Sequence, residues 1–277
     1  MRTGSLVVVL ALMISLLVAA EGELNVFFLN VGHGDAILVD YDHWEILIDT
    51  GTKQYWEGDS YCMDLLDRYV SKPIEVFVLS HPDGDHYNGF ELISERYGVV
   101  SIWHGPDPAD DNSGAEFLNA VVPSFCEREL SWTDGSSPIT TGPVVWEVLH
   151  PLPGAVGDDD SNSLVLKMTY GSTVFLFTGD IHVSAQRAIM RRFPDGVADS
   201  EDTVILKLPH HGSDSHVDAD FYEWSHADYA ICSSDRDCCL ARVKLDEDVE
   251  FFSTAGSVAI HVYQATPDIE PEVDEFE

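Results

Sequence analysis

Basic residues are scarce in this chain. Lys and Arg number 14 against 49 Asp and Glu, a formal net charge of −35 over 277 residues. Such a surface repels polyanions and anionic membranes at low ionic strength, which excludes nucleic-acid recognition through a broad basic face. The only basic cluster is Arg187, Arg191 and Arg192, on one predicted helix. Concentrated salt shortens the Debye length to ~3 Å and screens self-repulsion, so the balance suits a salty or metal-rich medium. Long apolar runs are also scarce: Leu6 to Val18 is followed by no second one, which argues against a membrane channel. With Arg2 as the only charge before Val18-Ala19-Ala20, residues 1–20 read as a signal peptide or, uncleaved, as an anchor, and the protein is expected to be exported. Cysteines number five, Cys62, Cys126, Cys232, Cys238 and Cys239. In an oxidising compartment that permits one or two disulfides and leaves a thiol over. No CxxC accompanies the Cys238-Cys239 pair, so a soft-metal site there is disfavoured. No internal repeat is visible.

What is present is an α/β pattern. Short aliphatic and aromatic runs punctuated by Gly and Asp predict strands over LNVFFLNV, AILVD and WEILID. A helix is predicted near Met63 to Tyr69, a buried strand over Ile74 to Leu79, and a helix from Tyr87 onward. Further strands are predicted over Val99 to Trp103, Val144 to Leu149, Thr203 to Leu208, Asp228 to Cys232 and Ser257 to Tyr263. LVLKMTY and TVFLFT read as a hairpin, Ala115 to Phe125 and Val183 to Phe193 as helices, and Ser131 to Pro143 as a turn-rich surface excursion. The last stretch, PDIEPEVDEFE, carries six acids and two prolines and reads as a disordered tail over residues 266–277.

Ligand-type side chains recur where strands end: Asp49, the cluster His81, Asp83, Asp85 and His86, then Asp180, then His210. Imidazoles and carboxylates at the carboxyl ends of successive strands fit a dinuclear metal site used for hydrolysis. Asp85 and Asp180 also stand where a helix N-cap would. His33 and Asp35 in VGHGDA lie near the site or serve a structural turn.

The segments FLNVGHGDAILVD, ILIDTG, LSHPDGDHYNG, NSLVLKMTYGSTVFLFTGD and LKLPHHGS follow one another in an order that resembles the metallo-β-lactamase superfamily. They are most similar to the hydrolase domain of ComEC-type competence proteins and its free-standing relatives. The resemblance implies a four-layer αββα sandwich over residues 21–265, with two divalent ions, Zn²⁺ or Mn²⁺, held between the sheets. It implies His81 and Asp83 on the first ion, Asp85, His86 and His210 on the second, and Asp180 bridging. The carboxylate of Asp83, where relatives have His, makes the first site harder and favours Mn²⁺. Asp49 is expected to orient a ligand His, and His150 to touch metal or to be an ordinary loop residue. Asn162 and Ser163 are expected to hold substrate or a bound water. The activity implied is hydrolysis of a phosphodiester, nuclease-like, by bound hydroxide that Asp85 or Asp180 orients, with His211 or Lys207 stabilising developing charge. A small ester (phosphocholine ester, lactone or β-lactam) and a non-catalytic metal-binding role in DNA uptake are the alternatives. The resemblance weakens beyond Ser213, where the further His-Pro common in such domains is missing.

Overall fold

A computed structural model describes residues 22–58, 60–71, 73–106, 113–133, 137–153, 158–234, 250–254, 258–263 and 266–271. The expected leader, the Cys238-Cys239 pair and the final residues 272–277 lie outside these. The first sheet comprises β1 (Glu23–Phe28), β2 (Ile37–Tyr41), β3 (Trp44–Ile48), β4 (Ile74–Leu79), β5 (Val99–His104), β6 (Cys126–Glu129), β14 (Val258–Tyr263) and β15 (Thr266–Pro271), in the order β15-β14-β1-β2-β3-β4-β5-β6. The second comprises β7 (Ile139–Thr141), β8 (Val144–His150), β9 (Val165–Tyr170), β10 (Thr173–Phe177), β11 (Thr203–Lys207), β12 (Tyr229–Cys232) and β13 (Glu250–Ser253), in the order β13-β12-β11-β10-β9-β8-β7. The helices are α1 (Tyr61–Tyr69), α2 (Gly84–Tyr87), α3 (Phe90–Tyr97), α4 (Ser113–Ala120), α5 (Val183–Arg192) and α6 (Ala219–Ser225).

Side-chain alternation along each strand builds the layers. Val26 and Phe28 of β1 and Phe175 of β10 meet between the sheets, where Trp146, Met168 and Tyr170 also lie. Phe27 of β1, with Phe77 and Leu79 of β4, points the other way, onto Leu65 and Leu66 of α1 and Phe90 and Ile93 of α3. On the far side, Val174 and Leu176 of β10 and Val204 and Leu206 of β11 pack on Ile189 of α5 and Phe221 of α6. Three apolar interfaces separate four layers, the expected αββα sandwich. Among the described residues no helix is long and apolar enough to cross a membrane.

Three local expectations are corrected, and one strand is found where none was predicted. The predicted helix Ala115 to Phe125 stops at Ala120 and gives way to a 3₁₀ turn, Val122–Ser124, because Pro123 cannot continue it. Within Ser131 to Pro143, Ile139–Thr141 forms β7, antiparallel to β8. The polar segment Cys126–Glu129 is a strand, parallel to β5. The start of the expected tail, Thr266–Pro271, pairs with β14 as an edge strand, a position that tolerates its prolines.

Parallel pairing runs from β3 to β6 in one sheet and from β10 to β13 in the other. The carboxyl ends of β3 and β4 therefore face those of β10 and β11 across one edge of the sandwich, the place where open parallel sheets carry ligands.

Candidate metal centre

The ligand loop begins one residue after β4. Ser80 and His81 are buried, Pro82 turns the chain, and α2 then carries Asp85 and His86 in a single helical turn. The N-cap residue of α2 is Asp83, without a side-chain capping bond, so capping does not account for Asp85. The Nδ1–H of His86 donates to Asp49 Oδ2 at 2.8 Å, which leaves Nε2 3.5 Å from Asp180 Oδ1. Asp49 is itself held by the backbone N–H and hydroxyl of Ser80, at 2.8 and 2.6 Å. Burial opposes the charged form of His86, yet Asp180 and Asp49 outweigh it and hold the ring well above the usual imidazole range.

Asp180 follows β10 through Gly179, whose φ of +51° makes the turn and whose missing Cβ would come within 2.8 Å of Ser163. The Asp180 N–H donates to Ser163 Oγ at 3.1 Å, and the N-cap residue of α5 is His182, so the capping alternative fails for Asp180 as well. Its Oδ2 lies 3.0 Å from His211 Nε2, which is also 3.6 Å from Asp85 Oδ2. His211, read from the sequence as an oxyanion donor, thus takes the place expected of His210. The cause is the backbone. Both residues adopt left-handed conformations, φ +48° and +53°, and their rings splay 71° apart, His211 inward and His210 toward the rim. His210 Nδ1 remains 3.8 Å from both Asp160 and Asp180. Burial works against charge on His211, but Asp180, Asp35 and Asp85 lift it to about 10.

A second donor group adjoins the first through the His81 and His86 rings, whose centroids are 4.1 Å apart. It consists of His81, Asp83 and Asp160, with candidate ligand atoms within 4.8 Å of one another. His81 Nε2 stands 3.5 Å from Asp160 Oδ1, and burial keeps His81 well below its ordinary pKa, hence neutral. Burial also raises Asp83 to about 6, with help from the charges of Asp160 and Asp85. Sequence reasoning missed Asp160, whose one signal was its position two residues before the Asn162-Ser163 pair. His150 joins none of these groups among the described residues: its Nε2–H donates to the Ser161 carbonyl at 2.9 Å. Asn162 lines an open recess beside the centre with His81, Pro82, His104, Pro106 and Leu118.

The VGHGDA loop, between β1 and β2 of the first sheet, closes the site against residues of the second. Asp35 is buried, its Oδ2 2.6 Å from Lys207 Nζ and its Oδ1 3.5 Å from His211 Nδ1. Lys207 also donates to the Gly179 carbonyl at 2.9 Å and lies 3.4 Å from Asp180 Oδ1. The sequence places Asp35 near the site or in a structural turn, and the packing adds its buried pairing with Lys207 of β11. The Asp35 N–H donates to the Asp85 carbonyl at 3.3 Å, and a Cβ on Gly34 would meet that carbonyl at 2.4 Å.

These donors fit a divalent metal. His86 Nε2 is a buried ring nitrogen with no hydrogen-bond partner, oriented by a carboxylate behind it and facing another in front. Imidazole and carboxylate together suit Zn²⁺ or Mn²⁺. The model of the metallo-beta-lactamase superfamily matches residues 29–213, which contain every donor named above. The chain belongs to the metallo-β-lactamase superfamily. By sequence it is similar to ComE operon protein 3 of Bacillus subtilis, 24% identical over 232 residues, 78% of this chain and 29% of that protein. It is also similar to competence protein ComA of Neisseria gonorrhoeae, 26% identical over 77% of this chain and 27% of the relative. Recombination protein 2 of Haemophilus influenzae is 27% identical over 75% of this chain and 24% of its own length. The chain thus spans about a quarter of the length of these relatives. In structure it resembles the metallo-β-lactamase fold protein YhfI from Bacillus subtilis, with a TM-score of 0.52 and 13% identity over 90% of this chain and 100% of that one. A likeness to CmlA β-hydroxylase covers 86% of this chain and 53% of the other, with a TM-score of 0.54 and 12% identity.

Proposed function

We propose that this member of the superfamily is an exported dinuclear metal-dependent phosphodiesterase acting on nucleic acid. The observation that carries the hydrolase reading is Asp180, buried in one donor group with Asp35, His86 and His211, which Asp85 approaches through His211, while His81, Asp83 and Asp160 form a second group beside it. Two divalent ions held there would polarise a phosphoryl oxygen and lower the pKa of a coordinated water. Asp85, the half-exposed carboxylate of the pair, is placed to take the proton of an attacking water. Asp49 fixes the tautomer of His86, and Lys207 keeps positive charge beside Asp180. The names of two of the relatives, a competence protein and a recombination protein, support nucleic acid as the substrate class. Export is supported by the Leu6 to Val18 run and by Cys232, which is disulfide-bonded, as an oxidising compartment allows.

The recess lined by Leu79, Pro82, His104, Pro106 and Leu118 favours a second reading, a small ester. Zn²⁺- or Mn²⁺-loaded protein should cleave single- or double-stranded DNA, and Asp180→Asn should abolish cleavage. Turnover of bis-p-nitrophenyl phosphate without cleavage of DNA or RNA at any salt concentration would move the choice to the small ester. No turnover of either substrate with metals bound would leave a metal-binding accessory protein. A mature N-terminus near Glu21 would support export, and a chain still starting at Met1 in membranes would overturn cleavage.

A further inference from the structure

Outside the pair of donor groups stand three more histidines. His182 follows the Asp180 turn, His210 is the outward member of the His-His pair, and His216 lies in the turn before α6. Their candidate ligand atoms lie within 4.8 Å of one another. The rings form a stack, His210 on His216 at 4.1 Å and 10°, His182 on His216 at 4.5 Å and 24°.

Each ring is prepared for one role. His182 Nδ1 hydrogen-bonds with Ser161 Oγ at 3.2 Å, which reserves Nε2. That Nε2 is buried, has no hydrogen-bond partner, and lies 3.2 Å from Asp160 Oδ2. His210 Nδ1 is also buried without a hydrogen-bond partner, 3.8 Å from the same oxygen. His216 Nδ1 is taken up by Ser213 and Ser215 hydroxyls at 3.1 and 3.0 Å, which leaves its Nε2 for a ligand. In His182 and His216 a hydroxyl on one ring nitrogen orients the ring and leaves the other nitrogen for a ligand, as the outer partner of a metal-bound histidine does.

The loops that carry these rings are fastened together before any ligand arrives. Gln186 of α5 is fully buried, and its amide nitrogen donates to the carbonyls of Ile181 and His216, at 2.9 and 2.5 Å. Its oxygen accepts the Asp218 N–H at 2.9 Å. One side chain therefore sets the segment before His182 against the turn holding His216. The candidate ligand atoms lie within 4.8 Å of one another, whereas tetrahedral Zn–N bonds of about 2.0–2.1 Å set donors about 3.4 Å apart, so a bound ion would draw the stacked rings in and tilt them out of parallel.

We propose that His182, His210 and His216, with Asp160 Oδ2, form a third divalent-cation site on the rim of the catalytic cleft, selective for a zinc-like ion. Three imidazoles and one carboxylate suit zinc better than manganese. Asp160 would then connect this ion to the inner group, since its Oδ1 faces His81 and its Oδ2 faces His182.

The test is metal content, independent of any activity. Full-length chain stripped of metal and titrated with ZnCl₂ should bind one ion more than the His182→Ala/His216→Ala double variant, measured by mass spectrometry of metals after desalting. Asp180→Ala should keep the rim ion while losing inner metal. Crystals grown with zinc should show anomalous density among the three rings at the zinc edge, a measurement on the unaltered chain that does not depend on a variant folding. Equal zinc content in wild type and double variant, or no anomalous peak among the rings at saturating zinc, would overturn the site. Density at the rim with none beside His86 would leave this site standing and sink the dinuclear reading instead.

Discussion

His150 is buried with its Nε2–H spent on the Ser161 carbonyl, and burial holds its folded-state pKa at about 4 against an ordinary 6.5. As pH falls, the unfolded chain takes up this proton first, so stability is complete above pH 6.5 and declines on the way to about 4. The full loss is about 3 kcal/mol. Urea midpoints of the metal-free chain should therefore fall less between pH 7 and pH 4.5 in His150→Gln than in the wild type. An identical fall would show that the ring is not kept neutral. Asp49 acts at the same scale through a different route. It touches His86 Nδ1 and Ser80 and is fully buried, so Asp49→Ala should lower metal affinity about 10–100-fold while every direct donor stays in place. Chelator competition that gives unchanged affinity would dissociate Asp49 from the orientation of His86.

At the level of elements, the legible parts were those whose residues report their own surroundings. β4 and β10 are apolar runs that stop abruptly at Ser80 and Thr178, the run of β11 continues to Leu208 before Pro209, and the ligands follow at once, so strand and site were visible together. β6 was not visible, because CERE is exposed throughout and is a strand only through its neighbour β5. β15 was hidden by its own prolines. Which histidine of the pair enters the centre depends on two consecutive left-handed residues, a conformation that neither residue type announces. Asp35 and Asp160 stand where they do because loops from opposite sheets meet, and that contact leaves no local periodicity to read. The VGHGDA turn gives a prediction at this scale. Gly34 has φ +148° and no room for a Cβ against the Asp85 carbonyl, so Gly34→Ala should destabilise the fold by about 1–3 kcal/mol and weaken metal binding. Gly58 also has positive φ but nothing within 4 Å, so Gly58→Ala should cost less, about 1 kcal/mol, and keep its metals. Equal metal affinity in the two variants would show that the turn does not position Asp85.

For the molecule as a whole, the net charge of −35 is the dominant long-range fact, and among the described residues the cations that oppose it are largely committed. Arg187 holds Asp218 at 2.7 Å, Arg192 donates to the Leu149 carbonyl and lies 4.3 Å over Trp132, and Lys207 is buried between Asp35 and Asp180. The basic cluster on α5 is therefore a fastening for neighbouring segments more than a track for phosphates. Salt should act in two ways that separate cleanly. Screening of self-repulsion should raise the unfolding midpoint as KCl goes from 0.1 to 2 M, where the Debye length shrinks from ~10 Å to about 2 Å. Substrate affinity should fall only weakly over the same range, because each phosphate neutralised by Lys or Arg contributes a slope of about −0.9 in log K against log salt, and few cations among the described residues are free to contribute. A DNA-binding slope as steep as several such contacts would mean that phosphates are gripped by basic side chains after all. Binding through divalent ions that Asp85, His86, Asp180 and His211 would hold predicts a nearly flat line.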